Sequence, residues 1–460
     1  MSARPQPFLH AGFAGRIGVA RRDITAPVGI YARNWGAAAH DACEGVHRPL
    51  TATVLVLQNG SGGETLALVS IDLIHGGDPE NALVRAVRDE MKLDPSRVML
   101  AFTHTHACPR WEASREDLPG MSLVPAYGAR LEQELREAAR EALARAEPAV
   151  LTWRYGRCAL AAVRDLPDPD AERLVTGFHP GASADDTLLA GRVTNASGRV
   201  TATLVHYACH PTTFAWQNKL LSPDWPGAMR EIVEGATEGA PCLYLQGASG
   251  ELAPREQYTG DPSIVDKNGR QAGYAALTAL EDMLPPATRL EYAGVVESGA
   301  PLATWRRAAY PPSAELRAER FEVELALKED LPGLVELQAR QESERDRALR
   351  ERLRRKISLR ERLGEGRTHR VPVWLWRVGD AVLLGQINET YSDFQRSLRA
   401  AAPGVALAPM NVVNGSMGYL PPRELYARDV YPVWQTPYAA GSLEKLTAAC
   451  AERVRAILKD

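Results

Sequence analysis

Residues 97–109 read RVMLAFTHTHACP, an apolar run that stops at two histidines two positions apart. The run has the length and composition of a buried strand. In extended backbone, residues two apart point to the same side. His104 and His106 can therefore aim two imidazoles at one point at a strand's exit, and imidazole nitrogen suits zinc.

A second stretch ends the same way. Residues 200–214, VTATLVHYACHPTTF, form an apolar run that closes on His210 and Pro211. Proline does not extend a central strand, so His210 is expected at the strand's exit, where α/β proteins place their sites. His206 lies inside the run and is expected to be structural.

Working outward, further strand-like runs occupy residues 51–58, 65–73, 241–245 and 381–387. Helical spacing marks residues 127–147, 224–235, 270–284 and 442–458. Strands alternating with helices over most of the length predict an α/β fold with a layered β-sheet core and flanking helices. Residues 313–363, dense in Arg, Glu and Leu, predict an inserted helical hairpin.

Of the 460 residues, 45% are hydrophobic, enough for a large core, and the formal net charge of −3 gives no general pull toward nucleic acid or anionic membrane. No apolar run has the length of a signal-peptide core or of a membrane span, so a cytoplasmic location without an integral membrane segment is expected. The six cysteines are scattered without a CxxC pair, which does not look like a disulfide framework.

Three more segments carry polar candidates. QGASGELAP (246–254) follows an apolar run with small residues and holds Ser249 and Glu251, with Arg255 next. Small residues there allow close backbone approach to a ligand, or simply a tight connection. Glu389 stands between a strand and a helix, where an acid also favours the helix dipole. Tyr419 lies in a Gly-rich turn, NGSMGYLPP.

Taken in order, GRIGVARRDIT (15–25), EGVHRPLTATVLVL (44–57), LVSIDL (68–73), FTHTHACP (102–109), YACHPTTF (207–214), SPDWPG (222–227), QGASGELAP and NGSMGYLPP with TPYAAGS (436–442) resemble the catalytic domain of the neutral, non-lysosomal ceramidases. The resemblance implies one catalytic domain over residues 1–460, without that family's carboxy-terminal immunoglobulin-like domain. It implies a zinc ion (Zn2+) held by His104, His210, Glu389 and Tyr419. It places His106, Arg164 and Tyr438 around the reacting carbonyl and Glu251 as the acid that accepts a proton from water. Zinc lowers the pKa of bound water to about 7, so the implied reaction is hydrolysis of an amide (N-acyl) bond by a metal-bound hydroxide. The partner is then a small-molecule or lipid-like acyl substrate, and a homo-oligomer is allowed.

One departure bears on the substrate. Ala253 stands where the family carries a serine, which excludes a seryl intermediate at that position and argues against ceramide. An esterase or lactonase with the same site, a non-catalytic zinc-stabilised binding protein, and a glycosidase using Glu251 with Glu389 are the rival readings. Asp72 and Asp224 are candidates to orient the histidines from behind, with helix capping favoured for Asp224. Trp35 reads as a packed aromatic.

Overall fold

The computed structural model describes residues 10–60, 63–112 and 117–459. Residues 1–9, on which part of the expectation of no signal-peptide core falls, lie outside them. Eight strands form the main sheet, in the spatial order Cys242–Gln246, Val200–Tyr207, Thr187–Asn195, Glu147–Arg157, Phe13–Asp23, Thr51–Gln58, Thr65–Ile71 and Val98–Phe102. Neighbours are antiparallel except for the pair at each edge. Each of those parallel pairs is joined by a crossover helix, Ala82–Met91 at one edge and Trp225–Ala236 at the other.

Strand alternation divides the core. In Thr51–Gln58, Ala52, Val54 and Val56 pack toward the helices Ala82–Met91 and Val124–Ala144, while Leu55 and Leu57 face the opposite way. There they meet a second sheet, ordered Leu316–Ala326, Thr368–Val378, Ala381–Gln386 and Ala406–Met410. The helices Ser392–Ala401 and Ser442–Lys459 cover the outer face of that sheet. The layers therefore run helix, sheet, sheet, helix, which is the mixed α/β arrangement expected. Strands missed in the sequence, such as Glu147–Arg157 and Thr187–Asn195, carry charged or glycine residues that blur the apolar run.

The residues 313–363 differ from the expectation in their first third. Leu316–Ala326 is a strand, because its alternating residues Val323 and Leu325 reach the core as it pairs with Thr368–Val378. The helices begin only at Leu334, as Leu334–Ser343 and Arg347–Leu363. A separate hairpin, Thr288–Glu297 with Pro301–Ala309, leaves Tyr292 and Trp305 exposed. Among the described residues no helix is long and apolar enough to cross a membrane. All six cysteines are buried and free.

What positions the site is the closure of the main sheet on itself. Adjacent strands rotate by roughly 20–25°, so an eight-stranded sheet accumulates roughly 140–175° between its edges. The two edge pairs, opposed along the sheet order, are thereby brought round until their carboxyl ends meet. Ser70 Oγ donates to the Tyr244 carbonyl across the gap at 2.7 Å. Residues 411–414 fill the seam: Asn411 N donates to Gln246 O at 3.0 Å and Asn414 N to Leu100 O at 2.8 Å. The Asn414 side chain also accepts from Leu100 N and donates to Val98 O. Asp72, at the exit of one edge pair, forms a two-pronged ion pair at 2.8 and 2.7 Å with Arg230 on the helix of the other. Asp72 thus clasps the two edges and does not back a site histidine.

Removing one partner of a buried ion pair strands the other charge. Asp72→Ala should cost about 3–5 kcal/mol, whereas Asp72→Leu combined with Arg230→Met should recover most of that loss. Chemical denaturation of the three proteins measures this. A single variant as stable as the parent would show that the clasp is not what holds the edges together.

Candidate metal centre and active site

His104 and His210 stand just beyond the ends of the two opposed edges. The His104 backbone takes up a left-handed conformation, φ +66°, with its N–H donating to Leu73 O. For a non-glycine residue that is costly, and it turns the imidazole inward. His104 Nδ1 lies 2.6 Å from Ile74 O, and His210 Nδ1 lies 2.6 Å from Ser249 O. A carbonyl only accepts, so both rings carry their proton on Nδ1 and leave Nε2 as the free donor atom. The two Nε2 atoms converge on one atom of Glu389: Oε2 is 3.4 Å from His104 Nε2 and 3.1 Å from His210 Nε2.

Glu389 comes from the second sheet. It leaves the Ala381–Gln386 strand and pairs in parallel with Tyr419, in the short ladder Glu389–Thr390 with Tyr419–Leu420. The small-residue run at 247–250 permits this approach. A Cβ on Gly250 would come within 3.1 Å of Glu389 O and within 2.7 Å of the Tyr391 ring. Close approach is thus the purpose of the small residues, but to another strand of the chain.

Burial drives His106 and His210 toward the neutral form, while Glu389 is favoured as the charged carboxylate. Burial, with Arg164 adding to it, pushes His210 down to about 4. Burial and the neighbouring His104 and His210 hold His106 well below its ordinary value. Burial alone would raise Glu389, but the two facing histidines outweigh it and hold the carboxyl well below the usual range. Burial and Glu389 push the Tyr419 phenol up, with Arg164 opposing.

These residues fit a metal. Two imidazole lone pairs aimed at a carboxylate oxygen repel unless a cation sits among them, and His104 Nε2 is buried without a hydrogen-bond partner. His104, His106 and His210 offer nitrogens all within 4.8 Å of one another, so this group could hold a metal ion. Two His and a Glu are also a donor set that zinc accepts.

The other expected residues divide. His106 joins the centre, its ring 5.1 Å from that of His104 and both its nitrogens buried without partners. Trp35 packs on the outer side of His106 at 5.2 Å. Arg164 also joins: its Nη2 donates to Tyr419 Oη at 3.0 Å and to Gly250 O at 2.7 Å. Glu251 is directed elsewhere. Its carboxylate accepts from Ser392 N, with Oε2 at 2.9 Å, and from the Ser392 hydroxyl, so it caps the helix Ser392–Ala401. Tyr438 Oη meets His369 Nδ1 at 2.9 Å. Ser249 Oγ accepts from Gln246, and Arg255 is exposed. His206 Nε2 faces Pro409 O at 2.7 Å, a structural role. Asp224 caps the helix Trp225–Ala236 through Trp225 N and also accepts from Phe214 N, which fixes the loop after His210.

A cavity of about 200 Å³ opens on this centre, lined by His104, His106, Glu389 and Tyr419 on one side. The opposite wall is the helix Arg347–Leu363, through Arg354, Arg355, Ser358, Leu359 and Arg362. These wall residues were not among the candidates from the sequence, where the segment was expected only as an inserted helical hairpin. The signal was its imbalance: eight cations against two acids within that helix.

Comparisons with known proteins add a fold. Neither family models nor curated proteins give a match. Among solved structures, the chain is similar to a neutral ceramidase from Pseudomonas aeruginosa, with a TM-score of 0.68 and 18% identity over 97% of this chain and 75% of that one. It is similarly close to a structure described as a ceramidase complexed with C2, with a TM-score of 0.67 and 18% identity over 97% of this chain and 76% of the other. The shared architecture is thus that of the ceramidases.

Glu251 yields a prediction that separates a cap from a catalytic acid. Burial raises its carboxyl to about 8, against the Ser392 hydrogen bonds that lower it. The folded state then binds this proton more tightly than the unfolded state does. Its contribution to stability is full below the unfolded value and is lost as pH rises through the folded one. Glu251→Gln should flatten the fall in thermal midpoint between about pH 5 and about pH 9. An unchanged pH profile in the variant would mean that Glu251 is ionised throughout.

Proposed function

We propose that the protein is a zinc-dependent hydrolase that cleaves an amide (N-acyl) bond, with zinc held by His104, His210, Glu389 and Tyr419. The observation that carries this reading is the convergence of two Nδ1-protonated imidazoles on one buried carboxylate oxygen. The preference for an amide over an ester draws on the likeness to ceramidases. Zinc supplies Lewis acidity and makes water acidic enough to attack a carbonyl near neutral pH.

The chain's own groups do the rest. His106 faces the cavity as a neutral imidazole, suited to take a proton from the attacking water and return it to the leaving nitrogen. Arg164 fixes the Tyr419 hydroxyl through the bond at 3.0 Å and adds positive charge where the oxyanion develops. The main-chain N–H of Arg164 donates to Glu251 O at 2.8 Å, and Glu251 in turn anchors Ser392, three residues beyond Glu389. Glu251 is therefore a positioning residue for both Arg164 and Glu389. Tyr438 supports the strand exit from behind, through His369 and Asn388.

His210→Ala should lose bound zinc and hydrolysis together, measured by metal analysis and by a panel of N-acyl and ester substrates. Chelation should abolish turnover and added zinc restore it. Turnover that survives chelation would favour the paired-carboxylate glycosidase instead. Zinc-loaded protein that hydrolyses nothing on a broad panel would leave only a binding protein.

A further inference from the structure

The cavity over the metal centre is not an apolar trough. Five arginines line it against three glutamates, and one of those glutamates belongs to the centre itself. Most of the excess sits on the helix Arg347–Leu363. Positions 354, 358 and 362 are spaced by four and share one face, so Arg354, Ser358 and Arg362 form a row along the wall.

These charges are only partly neutralised. Arg354 takes Glu351 in a two-pronged pair at 2.8 and 2.6 Å, and Arg355 Nε shares the same carboxylate at 3.2 Å. One acid thus serves two guanidinium groups. Arg355 is further pinned by Nη2 to Asn34 O at 2.7 Å. Arg362 is the least satisfied. Its Nη1 donates to Ser358 Oγ at 2.9 Å and its Nη2 reaches Ser416 O at 3.4 Å, while its buried Nε has no partner. Among the described residues no carboxylate pairs with Arg362. Glu112, Asp78 and Glu361 act on it only from beyond ion-pair distance, so its donors are left without a direct carboxylate partner, and a planar fork of donors matches a carboxylate or a phosphate.

We propose that the substrate is a small acyl compound bearing an anionic group, a carboxylate or a phosphate, which Arg362 binds with Arg355 beside it while the scissile bond lies over His104 and Glu389. This rests on the hydrolase reading for the word substrate; the anion site itself does not. A volume of about 200 Å³ has room for a compact metabolite and little for a long acyl chain, since pockets for drug-sized ligands run to roughly 300–1,000 Å³.

The experiment uses two matched pairs with the same amide: N-acetylglycine against N-acetylglycinamide, and the phosphate ester of N-acetylethanolamine against N-acetylethanolamine. Binding is read by calorimetry on chelator-treated protein, and hydrolysis on the zinc-loaded protein. In at least one pair the anion should bind roughly 10- to 100-fold more tightly than its neutral partner, as expected for charge-assisted hydrogen bonds. Which pair shows the gap separates the carboxylate from the phosphate. Arg362→Gln should erase most of the gap, and Arg362→Lys, which keeps the charge without the fork, should retain part of it. Arg355→Gln serves where an Arg362 variant does not fold.

Equal binding within both pairs overturns the proposal, and so does a gap that persists in both the Arg362→Gln and Arg355→Gln proteins. Anions that bind through Arg362 but are not cut support the site and count against the hydrolase reading. Neutral amides that are cut while the anions neither bind nor compete do the reverse.

Discussion

The meeting of the two edges of the main sheet is the constraint on which the centre depends. His104 and His210 are 106 residues apart and belong to opposite edges, so no local feature can bring them together. Twist brings the edges round, and the buried Asp72–Arg230 pair holds one edge to the helix of the other. Backbone hydrogen bonds from residues 411–414 then close the seam to Gln246 and Leu100. The seam segment lies between Glu389 and Tyr419 in sequence. Gln386 Nε2 and the Thr390 hydroxyl both donate to Asn411 Oδ1 there, so closing the sheet also sets the carboxylate. The same contacts fold the protein and assemble the four proposed ligands.

How much of this was legible follows from how local each signal is. Thr51–Gln58 could be read because its residues face two apolar layers and every side chain counts as a strand signal. The layered α/β class followed from such runs. Leu316–Ala326 could not, because its alternate positions are charged and one strongly helical neighbour dominated the window. His104 and His210 showed themselves by ending apolar runs. Glu389 and Tyr419 did not: a two-residue ladder leaves no periodicity, and their pairing spans the seam. For those two, only the ordered motifs pointed to a site.

Glu251 illustrates the opposite case, a residue whose local setting suggested chemistry. It follows a strand and a small-residue turn, as an active-site acid often does. The turn is small because the backbone of Glu389 and Thr390 passes within contact of Gly250. The carboxylate then meets the open amide of Ser392, where a helix start needs an acceptor. A buried acid raised to about 8 satisfies the helix at a cost in stability. Retaining it makes sense where the position of Glu389, three residues before Ser392, has to be fixed closely.

The centre and the wall that faces it belong to different parts of the architecture. His104, His210, Glu389 and Tyr419 are all buried and stand on strand exits held by backbone hydrogen bonds. Arg354, Arg355 and Arg362 stand on a helix inserted between two strands of the second sheet, Leu316–Ala326 and Thr368–Val378. That helix meets the core through polar contacts such as Arg355 to Asn34 O and Arg362 to Ser416 O. Among the described residues Arg355 and Arg362 make no hydrogen bond to His104, His210, Glu389 or Tyr419, so substituting them is expected to change the charge over the cavity and leave the proposed ligands in place. A fold shared with ceramidases can therefore keep the proposed centre while residues on the inserted helix vary the charge over the cavity. Ala253 stands apart from both: it is buried in the short ladder Leu252–Pro254 with Ala161–Val163 and is not among the residues that line the cavity.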